Sequence, residues 1–281
     1  MMRIFTAEYS GFCFGVKRAI QIATETANNH KNTLTFGPII HNPQMVEFLK
    51  NKGIGAVDTI NEISDETIII RSHGITADNY KKLMERGFDI VDATCPFVKK
   101  AQEFAQKLTK EGYQLYVLGE KNHPEVEALL SYIDDTAIVV SDPDYSLPKP
   151  SKKKVALIAQ TTQSEDKFER LAMKLISFSE EIHIVKTICK ATLLRQEATR
   201  NLAQKVDIMI VIGGKNSANT TRLAEIARAQ GCRTFHIETE SELQYLWFED
   251  VDNVGITAGA STPNWIINSV KEKIKKISET K

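Results

Sequence analysis

A chain of 281 residues with 42% hydrophobic and 26% charged content is long enough to bury a sizeable core in one to three domains. Its 36 basic residues balance its 36 acidic ones, which leaves no electrostatic case for a nucleic-acid or membrane surface. The N-terminal MMRIFTAEYS lacks the apolar stretch of a signal peptide, and no run approaches the roughly 18 apolar residues of a membrane span, so a cytoplasmic, reducing setting is expected, in which four widely spaced cysteines are poor disulfide candidates.

Taken in chain order, a helix is expected over 16–29, then a strand in the apolar run 33–44 and a helix over 43–52. A second buried strand falls in 66–76, followed by helices over 77–86 and 101–112. Strand runs at 114–125 and 155–166 lead into helices over 124–132 and 166–176, with a helix over 194–204 before the run at 207–222. Helices over 222–231 and 263–277 flank the last run, 253–264. Short β-branched runs alternating with 3.6-period stretches predict parallel sheets with crossover helices. The helices over 101–112 and 222–231 each end at a glycine stop. The Pro-rich, then basic segment 141–154 reads as an exposed loop, and the last residues, KEKIKKISETK, as a fraying helix end.

Three cysteines fall where an apolar run gives way to an amphipathic helix: Cys13 in GFCFGVKRA, Cys95 in DATCPFVKKA and Cys189 in TICKATLLRQEA. CFGVKRA and CPFVKKA match at Cys, Val, two basic residues and Ala, while the third copy is looser, with Arg195 and Ala198 displaced. Each thiol belongs to its own third of the chain. The expected fold is α/β, three pseudo-symmetric lobes of parallel sheet with flanking helices: residues 14–96, 97–190, and 191–281 together with 1–13. Each lobe would bring one sulfur to a central cavity. A thiolate at a helix N-terminus is stabilised by amides and dipole, and iron–sulfur clusters need such ligands. Three ligands leave one iron of a [4Fe–4S] cluster open to act as a Lewis acid, so catalysis at the cluster is predicted rather than electron relay. Cys232, in QGCRTFHI, reads instead as a small buried hydrophobe.

Ligands of parallel sheets bind beyond the carboxyl ends of the strands, and the loops there are rich in His, Ser, Thr, Asn and Glu. His41, His73 and His123 are expected at equivalent strand ends, whereas His30, His183 and His236 read as structural or exposed. GGKNSANTTRLAEIA (213–227) opens a helix whose amides, with Ser217 and Asn219, suit phosphate oxygens, although GxxxxGK[ST] is absent. AGASTPNW (258–265), with Ser261, and QTTQSED (160–166), with Thr161 and Thr162, are further polar helix starts. Such loops with histidines suit a diphosphate. Glu125, in the first turn after NHP, is a proton-donor candidate beside a metal, while Glu127 reads as solvated.

In order, GFCFGVKRAI, GPIIHNP, RSHG, DATCP, NHPEVE, QTT, Cys-x-Ala-Thr at 189–192, GGKNSANTTRL and TAGASTP resemble the 4-hydroxy-3-methylbut-2-enyl diphosphate reductase (LytB) family nearly end to end. The resemblance implies a cluster on Cys13, Cys95 and Cys189, found as [4Fe–4S] or, without its apical iron, [3Fe–4S]. It implies a diphosphate pocket of His41, His73, His123, Ser217, Asn219 and Ser261, with Glu125 delivering protons through Thr161 and His123. Thr161 or Thr162, with Thr192, would place the hydroxyl end of the substrate. The reaction implied is reductive dehydroxylation of the allylic diphosphate to isopentenyl and dimethylallyl diphosphates, the last step of the non-mevalonate isoprenoid pathway. Electrons would come from an external one-electron donor such as ferredoxin or flavodoxin, since no flavin or nicotinamide motif is present. The chain departs from the family at Ala218, where a second Ser is usual, and at Leu193 and Leu194, where a polar pair is expected. Rival readings are a zinc hydrolase or transferase and a non-catalytic iron–sulfur sensor.

Overall fold

A computed structural model describes residues 2–30, 32–64, 67–133, 137–145 and 147–279. Glu66 of the predicted 66–76 run, Ser146 of the loop segment and the last two residues lie outside them. The chain opens with β1 (Arg3–Thr6) and α1 (Phe14–Asn29). There follow β2 (Thr33–Phe36), α2 (Pro43–Lys50), β3 (Ile54–Val57), β4 (Thr67–Ile70), α3 (Ala77–Glu85), β5 (Asp89–Asp92) and α4 (Pro96–Lys110). Next are β6 (Gln114–Leu118), α5 (Pro124–Ser131), β7 (Ile138–Val140), β8 (Lys154–Ala159), α6 (Glu165–Ile176), β9 (Glu181–Ile184) and α7 (Lys190–Ala203). The chain closes with β10 (Ile208–Ile212), α8 (Ala218–Ala229), β11 (Arg233–Ile237), β12 (Asn253–Ala258) and α9 (Asn264–Glu279).

These elements divide between two compact units: residues 1–16, 41–45 and 190–281 form one, and residues 17–40 and 46–189 the other. The second unit holds two parallel sheets, ordered β3-β2-β4-β5 and β7-β6-β8-β9. The first holds one, β11-β10-β12-β1, also parallel. Numbered within its own sheet, each reads second-first-third-fourth. In the last sheet the fourth place is filled by β1, from the far end of the chain. Parallel strands need crossovers, and α-helices supply them among the described residues except between the second and third strands of each sheet, where β3–β4 and β11–β12 are joined through short 3-10 turns and no α-helix joins β7 to β8.

The six strands read from the sequence are the six central ones, and their burial explains why. β4, β6, β10 and residues 155–159 of β8 are buried throughout. Strands covered on both faces read as continuous apolar runs. The edge strands are more exposed, as in β1 and β9, each with three of its four residues exposed and none buried, and such strands do not read as buried runs. All nine predicted helices form. Three begin earlier than their apolar periodicity showed, at Pro96, Lys190 and Ala218: Pro96 opens α4, the first turn of α7 begins Lys-Ala-Thr, and α8 carries polar residues in its first turn behind the Ser217 cap. Gly112 and Gly231 take positive φ of 88° and 76°, ending α4 and α8 as expected. The expected fraying end is corrected: α9 stays helical to Glu279, with Ile274 and Ile277 buried against Ile208, Ile210 and Val254. A fully buried Ile contributes about 1.5–3 kcal/mol, which suffices to hold a last turn. In the other unit, Ala101, Ala105 and Leu108 of α4 pack on Leu115, Val117 and Ile158.

Candidate active site

Three positions recur, one set in each sheet. The cysteines follow the fourth strand, and each stands one residue before a helix: Cys13 before α1, Cys95 before α4, Cys189 before α7. Their main-chain N–H groups make the same bond, to the carbonyl two residues beyond the third strand of their own sheet. Cys13 donates to Ala260 (3.1 Å), Cys95 to Ser72 (2.9 Å) and Cys189 to Thr161 (3.1 Å). All three are reduced cysteines of intermediate exposure, and Cys13 Sγ accepts the Val16 N–H at 3.4 Å. Cys232 differs, as read from the sequence: it is buried with Ala203, Met209 and Ala227, and burial pushes its thiol up.

The second recurrence lies beyond the first strand of each sheet, where Gly37, Gly119 and Gly213 bond the end of the second strand. Four residues later come His41, His123 and Ser217. The third lies beyond the third strand, at His73, Thr162 and Ser261. The three histidines therefore do not share one position: His41 and His123 match, while His73 matches Thr162 and Ser261.

In the sheet ordered β7-β6-β8-β9, these loops build an acid. Glu125 is 2% exposed in the first turn of α5. Its carboxylate accepts the Thr161 N–H at 2.6 Å and the Thr161 hydroxyl at 2.8 Å. Burial pushes the carboxyl up to about 7, against the pull of the two Thr161 bonds. His123 caps α5, its Nδ1 accepting the Glu125 N–H at 3.1 Å, so the neutral ring carries its proton on Nε2. The His73 ring meets it edge-on, centroids 5.5 Å apart. Gln160, 1% exposed, accepts from the Glu120 N–H at 3.1 Å and donates to Thr162 Oγ1 at 2.9 Å. Glu127 is exposed, as expected.

In the sheet ordered β11-β10-β12-β1, the same positions carry neutral groups. Ser217 caps α8, accepting the Thr220 N–H at 3.4 Å. Asn219 is 5% exposed, and its Nδ2 is buried without a hydrogen-bond partner among the described residues. A buried donor left so is costly and suits an anion. Ser261 donates its hydroxyl to the His41 carbonyl at 3.0 Å, so a phosphate would have to compete for that proton. Gly213 has φ +145°, and a Cβ there would lie 2.6 Å from Thr262 Oγ1 and 2.8 Å from Thr220 Oγ1. Thr192 is 3% exposed on α7, and Leu193 and Leu194 beside it are half-buried, which nothing in the structure explains.

Several positioning residues carry no sequence signal. His236, half-buried and held below the usual imidazole range by burial, shares a 2.9 Å hydrogen bond with the Gly213 carbonyl. Glu238 accepts the Lys215 N–H at 2.8 Å, and Glu242 pairs with Lys215 Nζ at 2.5 Å. The cation of the Gly-rich loop is thus tied to β11 and the turn after it. Asn42, 1% exposed, caps α2 by accepting the Met45 N–H at 2.8 Å. Asn42 apart, whose Asn-Pro step is a local helix-start signal, only their partners in space reveal such roles.

No helix among the described residues is long and apolar enough to cross a membrane. The LytB protein family matches residues 4–275. The 4-hydroxy-3-methylbut-2-enyl diphosphate reductase of Trichlorobacter lovleyi is 46% identical over 279 residues, 99% of this chain and 100% of that one. That of Geobacter metallireducens is 46% identical over 280 residues, 100% of this chain and 99% of its own. A solved structure of (E)-4-hydroxy-3-methyl-but-2-enyl diphosphate reductase, described as the terminal enzyme of the non-mevalonate pathway, shares 44% identity with a TM-score of 0.69, covering 98% of this chain and 100% of that one. The E-1-hydroxy-2-methyl-but-2-enyl-4-diphosphate reductase of Plasmodium falciparum is 26% identical with a TM-score of 0.91, covering 98% of this chain and 87% of its own. By these matches along nearly its whole length, the chain belongs to the LytB family.

Proposed function

We propose that the chain is a 4-hydroxy-3-methylbut-2-enyl diphosphate reductase, an oxidoreductase that removes the allylic hydroxyl to give isopentenyl and dimethylallyl diphosphates at the end of the non-mevalonate pathway. The observation that carries this reading is the cysteine that recurs after the fourth strand of every sheet, each on a matching main-chain bond and each at a helix start. This donor set of three reduced, partly exposed thiols fits an iron–sulfur cluster. When bound by Cys13, Cys95 and Cys189, a [4Fe–4S] cluster would supply electrons one at a time and an open, Lewis-acidic iron; lost apical iron would leave [3Fe–4S].

The protein's own residues bind the substrate and move protons. The α8 amides, Ser217 and Asn219 hold diphosphate oxygens, with Ser261, His41, His73 and His123 completing the pocket. Since Lys215 is held by Glu242, these donors are mostly neutral. Thr161, Thr162 and Thr192 place the hydroxyl end. Glu125 retains its proton near neutrality and gives it, through Thr161 and His123, to the departing oxygen, which leaves as water. Two electrons from ferredoxin or flavodoxin and a second proton complete the balance.

The test is iron and acid-labile sulfide content of anaerobically prepared protein, with electron paramagnetic resonance recorded with and without the diphosphate substrate. Expected are iron and sulfide in equal amounts and a spectrum that changes on adding substrate. Zinc without sulfide would replace this reading with a hydrolase or transferase. A substrate-indifferent cluster without turnover would replace it with a sensor.

A further inference from the structure

The basic residue that repeats after the cysteines has a specific partner. Arg18 lies on α1, five residues after Cys13, and its guanidinium donates to the carbonyl of Thr94 at 3.2 Å, one residue before Cys95. Arg195 lies on α7, six residues after Cys189, and donates to the carbonyl of Gly11 at 2.6 Å, two residues before Cys13. It also donates to Ala191 at 2.9 Å and is 5% exposed. The helix that follows one cysteine thus reaches the turn that delivers another.

Both turns are fixed from the other side as well. The Thr94 N–H donates to Asp92 at 2.8 Å and the Cys95 N–H to Ser72, so the Thr94 peptide is held at both ends. Gly11 has φ +82°, and a Cβ there would come within 2.9 Å of Asn264 Oδ1. Lys100 stands at the matching place after Cys95, but it is exposed, its Nζ 5.8 Å from the Phe104 ring centroid. The Cys189 turn is held by a hydroxyl instead: Thr187 Oγ1 bonds the carbonyl of Ala159 at 2.5 Å and its N–H at 2.8 Å.

We propose that Arg18 and Arg195 are positioning residues for the cluster ligands, fixing the main chain that presents Cys95 and Cys13 and bringing a permanent positive charge beside two thiolates. The inference rests on the cluster reading above. A guanidinium stays charged at any working pH, and its bond to a carbonyl is charge-assisted. Partners that orient metal ligands typically matter by 10–100-fold in affinity or activity.

Arg18→Met, Arg195→Met, the two Lys variants and Lys100→Met are reconstituted anaerobically with ferrous iron and sulfide, then challenged with EDTA. The Met variants at 18 and 195 lose cluster absorbance about tenfold faster than wild type, with an altered paramagnetic signature. The Lys variants, keeping a charged donor, recover most of that loss, and Lys100→Met behaves as wild type. Melting of the iron-free proteins shows that the fold persists, and Arg195→Lys guards the buried position against its loss. Met variants that release iron at the wild-type rate, Lys variants no better than Met, or Lys100→Met as harmful as Arg18→Met would each overturn the inference. Wild-type protein that takes up no iron would overturn the cluster reading, and this inference with it.

Discussion

The loops beyond β6 and β8 and those beyond β10 and β12 occupy matching places in sheets of one topology, yet they carry groups of opposite kind. The first pair buries a carboxylate and ties it to a threonine. The second pair presents a capping serine and a buried amide donor, while its one lysine is paired elsewhere. The scaffold fixes where a side chain stands, and the loop residue alone decides whether that place carries a carboxyl or a neutral donor. Function has been laid onto three copies of one frame by changing a few positions.

That contrast is most exposed to failure at Glu125. Glu125→Gln keeps the shape and the bond to the Thr161 N–H but has no acid to give. Turnover is expected to fall about 10²–10⁴-fold, with iron content and cluster spectrum unchanged. Equal turnover would remove the acid from the proposal.

The pH profile sharpens the same point. The acid form of Glu125 is present below its raised pKa of about 7 and is lost above it, so turnover should fall about tenfold per pH unit on the alkaline side. Glu125→Gln should abolish that limb. The linkage has the same sign: a carboxyl raised from 4.5 to about 7 by folding makes the folded state lose relative stability as pH rises through that window. Denaturant titrations should show Glu125→Gln gaining on wild type between pH 5 and pH 8, by up to ~3 kcal/mol.

On the anion side the expected effects are smaller and fall on binding. Asn219→Ala removes a donor to a charged group, worth about 1.5–3 kcal/mol, and should raise KM at least tenfold with kcat little changed. A fall in kcat alone would mean that the two loop pairs are not specialised as described. Least is expected of Glu238→Ala, which frees the Lys215 N–H and should raise KM roughly two- to tenfold, in line with one ordinary hydrogen bond of about 0.5–1.5 kcal/mol.

Much of this frame was legible in the chain. β10 is a run of five buried apolar residues, and such strands announce themselves. β9, Glu-Ile-His-Ile with three of its four residues exposed, does not. The helix starts at Pro96 and Lys190 lie upstream of the periodic apolar stretch because Pro96 and Lys190 open their first turns, although Val98 in the first turn of α4 is buried. Cys13, Cys95 and Glu125 stood out because residue type and helix-start context agree there. Gln160 and Glu238 did not, and Arg18 showed only as a repeated basic residue, because each acts through a partner remote in sequence that only folding supplies. Arg195, displaced in the looser third copy, makes the same kind of bond as Arg18.

The pairing of β1 with β12 carries a consequence for how the molecule is made. Arg3–Thr6 must wait for Asn253–Ala258 to be synthesised, a delay on the order of ten to fifty seconds at about 5–20 residues per second. Through that interval the first cysteine is tethered to a strand with no neighbour, while the turns of the second and third can already be in place. The Cys13 turn, whose N–H bonds the Ala260 carbonyl, is therefore completed only after those of Cys95 and Cys189, whose partners Ser72 and Thr161 precede them in the chain.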